Sequence, residues 1–252
     1  MKTKYFSILF FITLLCCVSC SGAKKDAEVA KQADTDYQMA VNFYDAGHTP
    51  EAIRHLALVL ASQPDHADAN HLMGFIKMGR GQYEEAVRYF KAALKTNPDM
   101  LTCRNNLGAA YLHLEMYEEA AVIFKELTQS PLYTSPWLAF VNLGWAYYQM
   151  GMTSEAIEET KMSIALNPDL CLAYNNLGIF YNAQGRDEEA ESNLKEAIRA
   201  CANYAEPHLH LGMIYANRGD NAQARTHFKR CYELSPKNDL GKRCQQNSMI
   251  VQ

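Results

Sequence analysis

The sequence predicts an all-α fold, a superhelical solenoid of six helix–turn–helix repeats closed by a capping helix. The main observation is a small residue that is followed, twelve residues later, by an alanine. Successive occurrences are 34, 34, 36, 34 and 34 residues apart. A period near 34 is typical of helical hairpins that bury their apolar faces only by stacking on one another. The six pairs are Ala40/Ala52, Gly74/Ala86, Gly108/Ala120, Gly144/Ala156, Gly178/Ala190 and Gly212/Ala224.

Aligning the chain on these pairs gives its predicted organisation. A signal peptide covers residues 1–19, a lipidated cysteine and polar tether cover 20–32, and a capping helix covers 239–252. Glycines are expected to close the first helix of each hairpin, and prolines to stop the second. A two-residue insertion around Ser135–Pro136 is expected to lengthen one connection. The six repeats are predicted at 33–66, 67–100, 101–134, 137–170, 171–204 and 205–238.

The repeated unit resembles the tetratricopeptide repeat. The motif Leu-Gly-x-x-Tyr recurs at 107–111, 143–147, 177–181 and 211–215. Large side chains, among them Phe90, Phe124 and Phe228, recur in the second helix at a fixed distance from the small residue. This resemblance implies that the first helix of each repeat lines a concave surface that holds another protein.

The N-terminus has the pattern of an export signal. Two lysines precede an apolar run of about ten residues, and the sequence Val-Ser-Cys follows at 18–20. The run is shorter than the roughly 20 residues that span a bilayer. Val-Ser-Cys resembles a bacterial lipobox, which implies that Cys20 carries a diacylglyceryl and palmitoyl lipid. Since Ser21 is not aspartate, the resemblance also implies that the protein is anchored in the outer membrane and faces the periplasm. Cys17 stands where leucine is usual, so secretion with a free Cys20 remains the alternative.

Charge and motifs exclude several function classes. Without its signal peptide the chain has 22 basic and 28 acidic residues, so nucleic acid is not an expected partner. No nucleophile motif, phosphate-binding glycine loop or zinc-protease motif is present. Paired glutamates such as Glu84–Glu85 fall at the start of the second helix of a repeat, where carboxylates interact favourably with the positive end of the helix dipole. The chain is therefore predicted not to be an enzyme, and to have no cofactor and no small-molecule substrate.

Five cysteines lie beyond the N-terminal segment, and an exported protein can oxidise them. Cys231 and Cys244 flank one turn at similar distances, so a disulfide would join the capping helix to the last repeat. Cys171 and Cys201 begin and end one hairpin and form the other candidate pair, whereas Cys103 has no evident partner. The alternative is that all are small buried apolar residues. The candidate ligands of a metal site are His208, His210, His227 and Cys231. A metal site is nevertheless not favoured, because His208 lies at a position that normally holds an aromatic packing residue.

The predicted binding surface is an apolar strip on the first helices, with amides along one side. The strip contains Trp145 and Tyr148, residue types that often anchor interfaces. Some members are expected to pack against neighbouring repeats instead. The candidate groove residues are Phe75, Asn105, Asn106, Val141, Asn142, Trp145, Tyr148, Leu172, Asn175, Asn176, Ile179, Leu209 and Met213.

Lipobox, tether and six repeats together resemble the PilF/PilW/Tgl family of outer-membrane lipoproteins, the pilotins of type IV pilus secretins. The resemblance implies that the chain binds secretin subunits and promotes their outer-membrane insertion and oligomerisation, and hence pilus-dependent motility. Two alternatives remain open: a general periplasmic scaffold or adaptor in envelope biogenesis, and a targeting subunit for an enzyme.

Overall fold

The computed structural model describes residues 27–251, and within that range the chain forms thirteen helices and no strand. The predicted signal peptide, Cys20 and the tether up to residue 26 lie outside it. The helices are α1 (27–45), α2 (Thr49–Ser62), α3 (Ala67–Gly79), α4 (Tyr83–Thr96), α5 (Leu101–His113), α6 (Tyr117–Gln129), α7 (Pro136–Gln149), α8 (Thr153–Leu166), α9 (Cys171–Ala183), α10 (Asp187–Ala200), α11 (Glu206–Asn217), α12 (Asn221–Leu234) and α13 (Asp239–Ile250).

The first helix begins earlier than the repeat phase predicts. The predicted tether includes residues 27–32, but these residues are helical and continuous with the predicted first repeat. Their sequence, Ala-Glu-Val-Ala-Lys-Gln, contains mostly strong helix formers and neither glycine nor proline. Ala33 is 2% exposed and belongs to the first core cluster, which ties this part of the helix to the folded chain.

The chain divides into two compact units, with the boundary between Ala110 and Tyr111 inside α5. In the first unit, α3 packs against both α2 and α4, around a core that includes Leu56 and Met73. In the second unit, each helix from α6 to α13 packs against the next along the chain. The α7, α9 and α11 helices also contact one another in order, so they form one continuous face.

The turns within hairpins depend on a residue in the left-handed region. Five of these turns contain a glycine with φ between +72° and +80°: Gly47, Gly81, Gly151, Gly185 and Gly219. The remaining turn has Glu115 at the equivalent position, with φ of +58°. A side chain at such a φ has a steric cost that glycine avoids.

The connection between α6 and α7 contains six residues, whereas those before α3, α5 and α9 contain four. The extra length agrees with the predicted insertion. Pro136 is the first residue of α7, a position that proline favours because its missing N–H has no partner there in any helix. Tyr133, within this connection, is only 8% exposed.

The recurring glycine is required by the side chain sixteen residues later. A Cβ atom at Gly74 would lie 2.7 Å from the Phe90 ring, and one at Gly212 would lie 2.5 Å from the Phe228 ring. Both phenylalanines are buried. The small residue therefore lets the two helices of a hairpin approach while a large side chain fills the space beneath it.

The capping helix α13 packs against α12 and is joined to it by a disulfide between Cys231 and Cys244, with Cα atoms 6.0 Å apart. A second disulfide joins Cys171 to Cys201. Cys103 is a buried free thiol whose pKa is raised to about 12 by burial. Gly241 of α13 approaches the Ser235 carbonyl so closely that no side chain fits there.

Gly178→Ala should lower the free energy of unfolding by about 1–3 kcal/mol, because the added methyl group overpacks a filled core. Its Cβ would lie 2.5 Å from Cγ of Leu194, which is fully buried. Urea unfolding followed by circular dichroism measures the change.

Gly79→Ala is the matched control, since a Cβ there would meet no atom within 4 Å. Alanine is the better helix former, so this variant should be neutral or more stable by up to about 1 kcal/mol. If Gly178→Ala unfolds at the same urea concentration as Gly79→Ala, the close approach does not constrain the fold.

Candidate functional site

In the first unit, the predicted surface residue Phe75 lies on α3 and is 38% exposed. Its ring meets the Tyr44 ring edge to face, with centroids 6.1 Å apart. The two aromatic side chains border a pocket of about 330 Å³, which Thr49, Met78 and Arg80 also line. Phe75 therefore lies at an open, largely apolar depression.

The two asparagines that the sequence predicts for the binding surface of the first unit, Asn105 and Asn106, are less exposed than Phe75. Asn106 is 9% exposed, and its Nδ2 lies 3.0 Å from Nε2 of His71. Burial lowers the pKa of His71, an effect that Asp68 opposes, and a neutral imidazole accepts this hydrogen bond. Asn105 is half-buried, and its Oδ1 is buried without a hydrogen-bond partner among the described residues. Asn106 thus fixes the contact between α3 and α5 rather than facing a ligand.

In the second unit, the predicted residues separate into an exposed group and a buried group. Leu172 is 37% exposed and Met213 is 38% exposed, while Asn142 and Ile179 are half-buried. Leu172 and Ile179 lie on α9 and Met213 on α11. Together with Trp145 and Tyr148 of α7, these residues form what we call the α7–α9–α11 face.

The other predicted residues of this unit are buried and cannot contact a partner directly. Val141 and Leu209 are each 1% exposed, and Leu209 belongs to the core cluster of Phe228 and Cys231. Asn175 and Asn176 are 1% and 4% exposed. Asn175, Asn176 and Leu209 lie within four positions of the exposed Leu172 or Met213 on the same helices, but they point towards the helix packing.

Trp145 and Tyr148 are shared between the surface and the core. Both are half-buried, and their rings lie 6.2 Å and 4.6 Å from the ring of Phe180, which is fully buried. Truncating them would therefore remove packing between α7 and α9 as well as any contact with a partner. Their loss is expected to lower stability, so binding data on such variants need a stability measurement beside them.

A polar cluster that the sequence pattern did not predict joins α10 to α11. Glu191 accepts hydrogen bonds from Lys195 at 2.7 Å, from the Tyr215 hydroxyl at 2.7 Å and from Arg218. These donors, Lys195 foremost, lower the pKa of Glu191 to about 2. Tyr215 is the tyrosine of the Leu-Gly-x-x-Tyr motif, but its partner Glu191, 24 residues earlier, is not part of any recurring motif.

The four residues weighed as metal ligands are used otherwise. Cys231 is in a disulfide, and His210 lies 4.0 Å from Glu206. His208 and His227 face each other with their Nδ1 atoms 3.0 Å apart, so one imidazole donates and the other accepts. No cluster of three or more His, Cys, Asp or Glu side chains suited to a metal occurs between residues 27 and 251.

Comparisons with known proteins agree with the helical-repeat architecture. Three sequence profiles, each described as a tetratricopeptide repeat, match residues 77–131, 138–169 and 169–237. Over residues 27–251, no helix has both the length and the apolar character needed to cross a bilayer. The architecture and these matches define the class: a helical-repeat protein of the kind that binds other proteins.

The particular family follows from the profiles, and the chain is a tetratricopeptide-repeat protein. One similar solved structure is PilW, a widely conserved type IV pilus biogenesis factor, with 20% identity, a TM-score of 0.73 and coverage of 83% of this chain and 96% of PilW. PilF of Pseudomonas aeruginosa has 20% identity and a TM-score of 0.68 over 87% of this chain and 99% of PilF. TTC0263 of Thermus thermophilus has 23% identity and a TM-score of 0.65 over 73% of this chain and 99% of that chain. No curated protein sequence matches significantly.

The histidine pair should make stability depend on pH. Burial lowers the pKa of His208 to about 4 and also lowers that of His227. His227 and Arg230 lower the pKa of His208 further, while Lys195 lowers and Glu191 raises the pKa of His227. Since the folded state holds both imidazoles neutral, stability is complete above the unfolded-state pKa near 6.5 and falls as the pH drops towards 4.

Lowering the pH from 7 to 5 should reduce the free energy of unfolding by about 1–2 kcal/mol for His208 alone. Urea unfolding at the two pH values measures this loss. Both pH values lie above the pKa of the ion-paired carboxylates, so protonation of these carboxylates does not account for it. His208→Phe should have a smaller loss, because one titrating group is gone. An equal loss in the variant would contradict the assignment.

Proposed function

We propose that this chain is an outer-membrane lipoprotein that binds secretin subunits and promotes their insertion and oligomerisation during type IV pilus assembly. The observation that carries the proposal is the extent of the fold similarity. The match covers 96% of PilW and 99% of PilF, so the helices of this chain correspond to those two proteins over almost their entire length. Since the sequence identity is only 20%, the inference from a shared fold to a shared function also depends on the N-terminal sequence and on the exposed apolar residues of the α7–α9–α11 face.

The cysteines support an exported protein. Two disulfides are present in the second unit, and such bonds persist in oxidising compartments such as the bacterial periplasm. The sequence before residue 20 has the order of a signal peptide, and Cys20 follows a small residue as a lipobox cysteine does. We propose that Cys20 carries the lipid that anchors the chain to the outer membrane, with the repeats in the periplasm.

The α7–α9–α11 face supports a protein partner with apolar segments. Leu172 and Met213 expose more than a third of their surface on adjoining helices, and Ile179, Trp145 and Tyr148 are partly exposed beside them. Clustered apolar side chains at the surface usually mark interaction sites. A secretin subunit presents amphipathic segments before it enters the membrane, and shielding them would suppress aggregation. This face would then act as a holding surface until subunits assemble.

A general periplasmic scaffold is the second candidate, because not all similar solved structures are described as pilus proteins. The match to TTC0263, described as a thermophilic tetratricopeptide-repeat protein, covers 99% of that chain. A MamA structure is 26% identical over 65% of this chain, with a TM-score of 0.53. Isolating crosslinked partners from membranes separates the two candidates: a secretin supports the pilus function, and several unrelated envelope proteins support the scaffold.

Cys20→Ala should abolish incorporation of radiolabelled palmitate and so remove the covalent anchor to the outer membrane. It should also reduce the amount of heat-resistant secretin multimer, because the chain no longer reaches the outer membrane. Cys16→Ala is the control and should retain the label, since Cys16 follows Leu15 and precedes the segment 17–20 that resembles a lipobox. Absence of label in the unsubstituted protein would refute the anchor.

Met213→Glu should weaken capture of the secretin at least tenfold, because a charge replaces an apolar contact on the α7–α9–α11 face. Met162→Glu is the matched control, since Met162 is 48% exposed on α8, outside that face. Both residues are surface-exposed, so both melting temperatures should stay within a few degrees of the parent. Equal weakening by the two variants, or by neither, would exclude this face as the secretin site.

A further inference from the structure

The charge of the C-terminal segment is opposite to that of the rest of the chain. Residues 221–252 contain six lysines and arginines and two acidic residues, a net charge of +4. Residues 1–220 contain 18 basic and 26 acidic residues, a net charge of −8. The basic segment forms α12 and the capping helix α13, which pack together and are joined by the Cys231–Cys244 disulfide. The positive charge is therefore held on one rigid helix pair.

Much of this basic charge lies at the surface. The Lys229 side chain is 76% exposed, that of Lys242 is 68% exposed and that of Arg230 is 46% exposed. The two acidic residues, Glu233 and Asp239, are themselves exposed neighbours of these cations. Ion pairs between exposed side chains are weak, so these cations can rearrange to meet another anionic group.

The same helix pair exposes apolar side chains and an open pocket. Met249 and Ile250, adjacent at the end of α13, are 65% and 77% exposed. The pocket, of about 280 Å³, is lined by Arg225, Phe228, Lys229, Tyr232 and Met249, with Gln245 and Ser248. Two cationic side chains thus lie beside an apolar depression and a projecting aliphatic pair.

We infer that the α12–α13 cap is a membrane-docking surface that binds anionic phospholipid. Met249 and Ile250 enter the boundary between headgroups and acyl chains, and the lysines and arginines around them contact lipid phosphates. Interfacial segments combine these two features, since apolar burial and attraction to anionic lipid add together. This contact is separate from the proposed lipid on Cys20 and holds the C-terminal end of the chain at the bilayer.

The geometry favours a bilayer over an acidic protein. Ile250 at the helix end is 77% exposed and does not line the pocket, and Met249, at the edge of that open pocket, is 65% exposed. A rigid protein partner would need a matching cavity, whereas a fluid headgroup layer deforms around projecting side chains. Flexible lysine and arginine side chains likewise follow mobile phosphates without a fixed geometry.

The test is vesicle flotation with the whole sequence from position 20, oxidised and carrying Cys20→Ser so that no acyl chain is present. We expect binding to vesicles of phosphatidylglycerol and phosphatidylethanolamine, and at least tenfold weaker binding to pure phosphatidylcholine. Raising the salt from about 0.05 M to about 0.5 M should reduce binding at least tenfold, because the ions screen exposed charges. Equal binding to the two vesicle types would overturn the inference, as would no binding to either.

Two variants locate the surface. Met249→Ser with Ile250→Ser should reduce binding at least fivefold, and Lys229→Gln with Lys242→Gln and Arg243→Gln at least tenfold. The control is Val122→Ser with Leu132→Ser, since these residues are 60% and 79% exposed elsewhere in the second unit. Unchanged binding in both cap variants, or an equal loss in the control, would overturn the inference, as would poly-glutamate competing as well as anionic vesicles do. The assay contains no secretin and no acyl chain, so its failure leaves the proposed function intact.

Discussion

The structure depends on how closely the two helices of each hairpin approach. A small residue on the first helix lies against the side chain sixteen positions later, and the alanine twelve positions later keeps that crossing narrow. The side chain beneath is Phe90 in one hairpin and Phe228 in another, each buried. Beneath Gly144 the equivalent residue is Thr160, whose hydroxyl is buried without a hydrogen-bond partner among the described residues. The crossing is thus kept even where its filling residue changes to a smaller, polar one.

This crossing determines which side chains are left for function. With the hairpins closed, residues such as Leu209 and Asn175 are drawn into the helix packing, while Leu172 and Met213 remain exposed on the same helices. The surface available to a partner is therefore narrower and more apolar than the repeat positions alone indicate. Trp145 and Tyr148 lie at its border, since Phe180 holds their rings. Any partner bound here contacts residues that also join neighbouring hairpins, so binding and stability are coupled on this face.

Most of the fold could be predicted from the sequence because its determinants are local and repeated. The 34-residue period, the small residue and the turn glycine each recur several times, so an atypical residue at one position does not change the prediction. Single contacts could not be predicted in this way. The Glu191–Tyr215 hydrogen bond joins residues 24 positions apart whose repeat positions carry no motif for such a pair. The His208–His227 pair lies 19 positions apart, as do Asp36 and His55 in the first repeat, but the residue types differ between the two pairs, so the repeat pattern does not mark the contact. Burial of Asn175 and Leu209 was missed because the depth of a side chain depends on the crossing of three helices rather than on its position in one.

The fold alone does not select a partner, and the low identities show why. PilW and TTC0263 share this architecture with the chain at 20% and 23% identity, so the fold tolerates replacement of most side chains. The exposed side chains are free to differ, because truncating Met213 or Ile250 leaves the crossing untouched. On the proposals made above, specificity lies in a few solvent-facing positions and in the charge of residues 221–252, which is +4 against −8 elsewhere. Changes at these positions would alter the surface offered to a partner without disturbing the crossing that holds each hairpin closed.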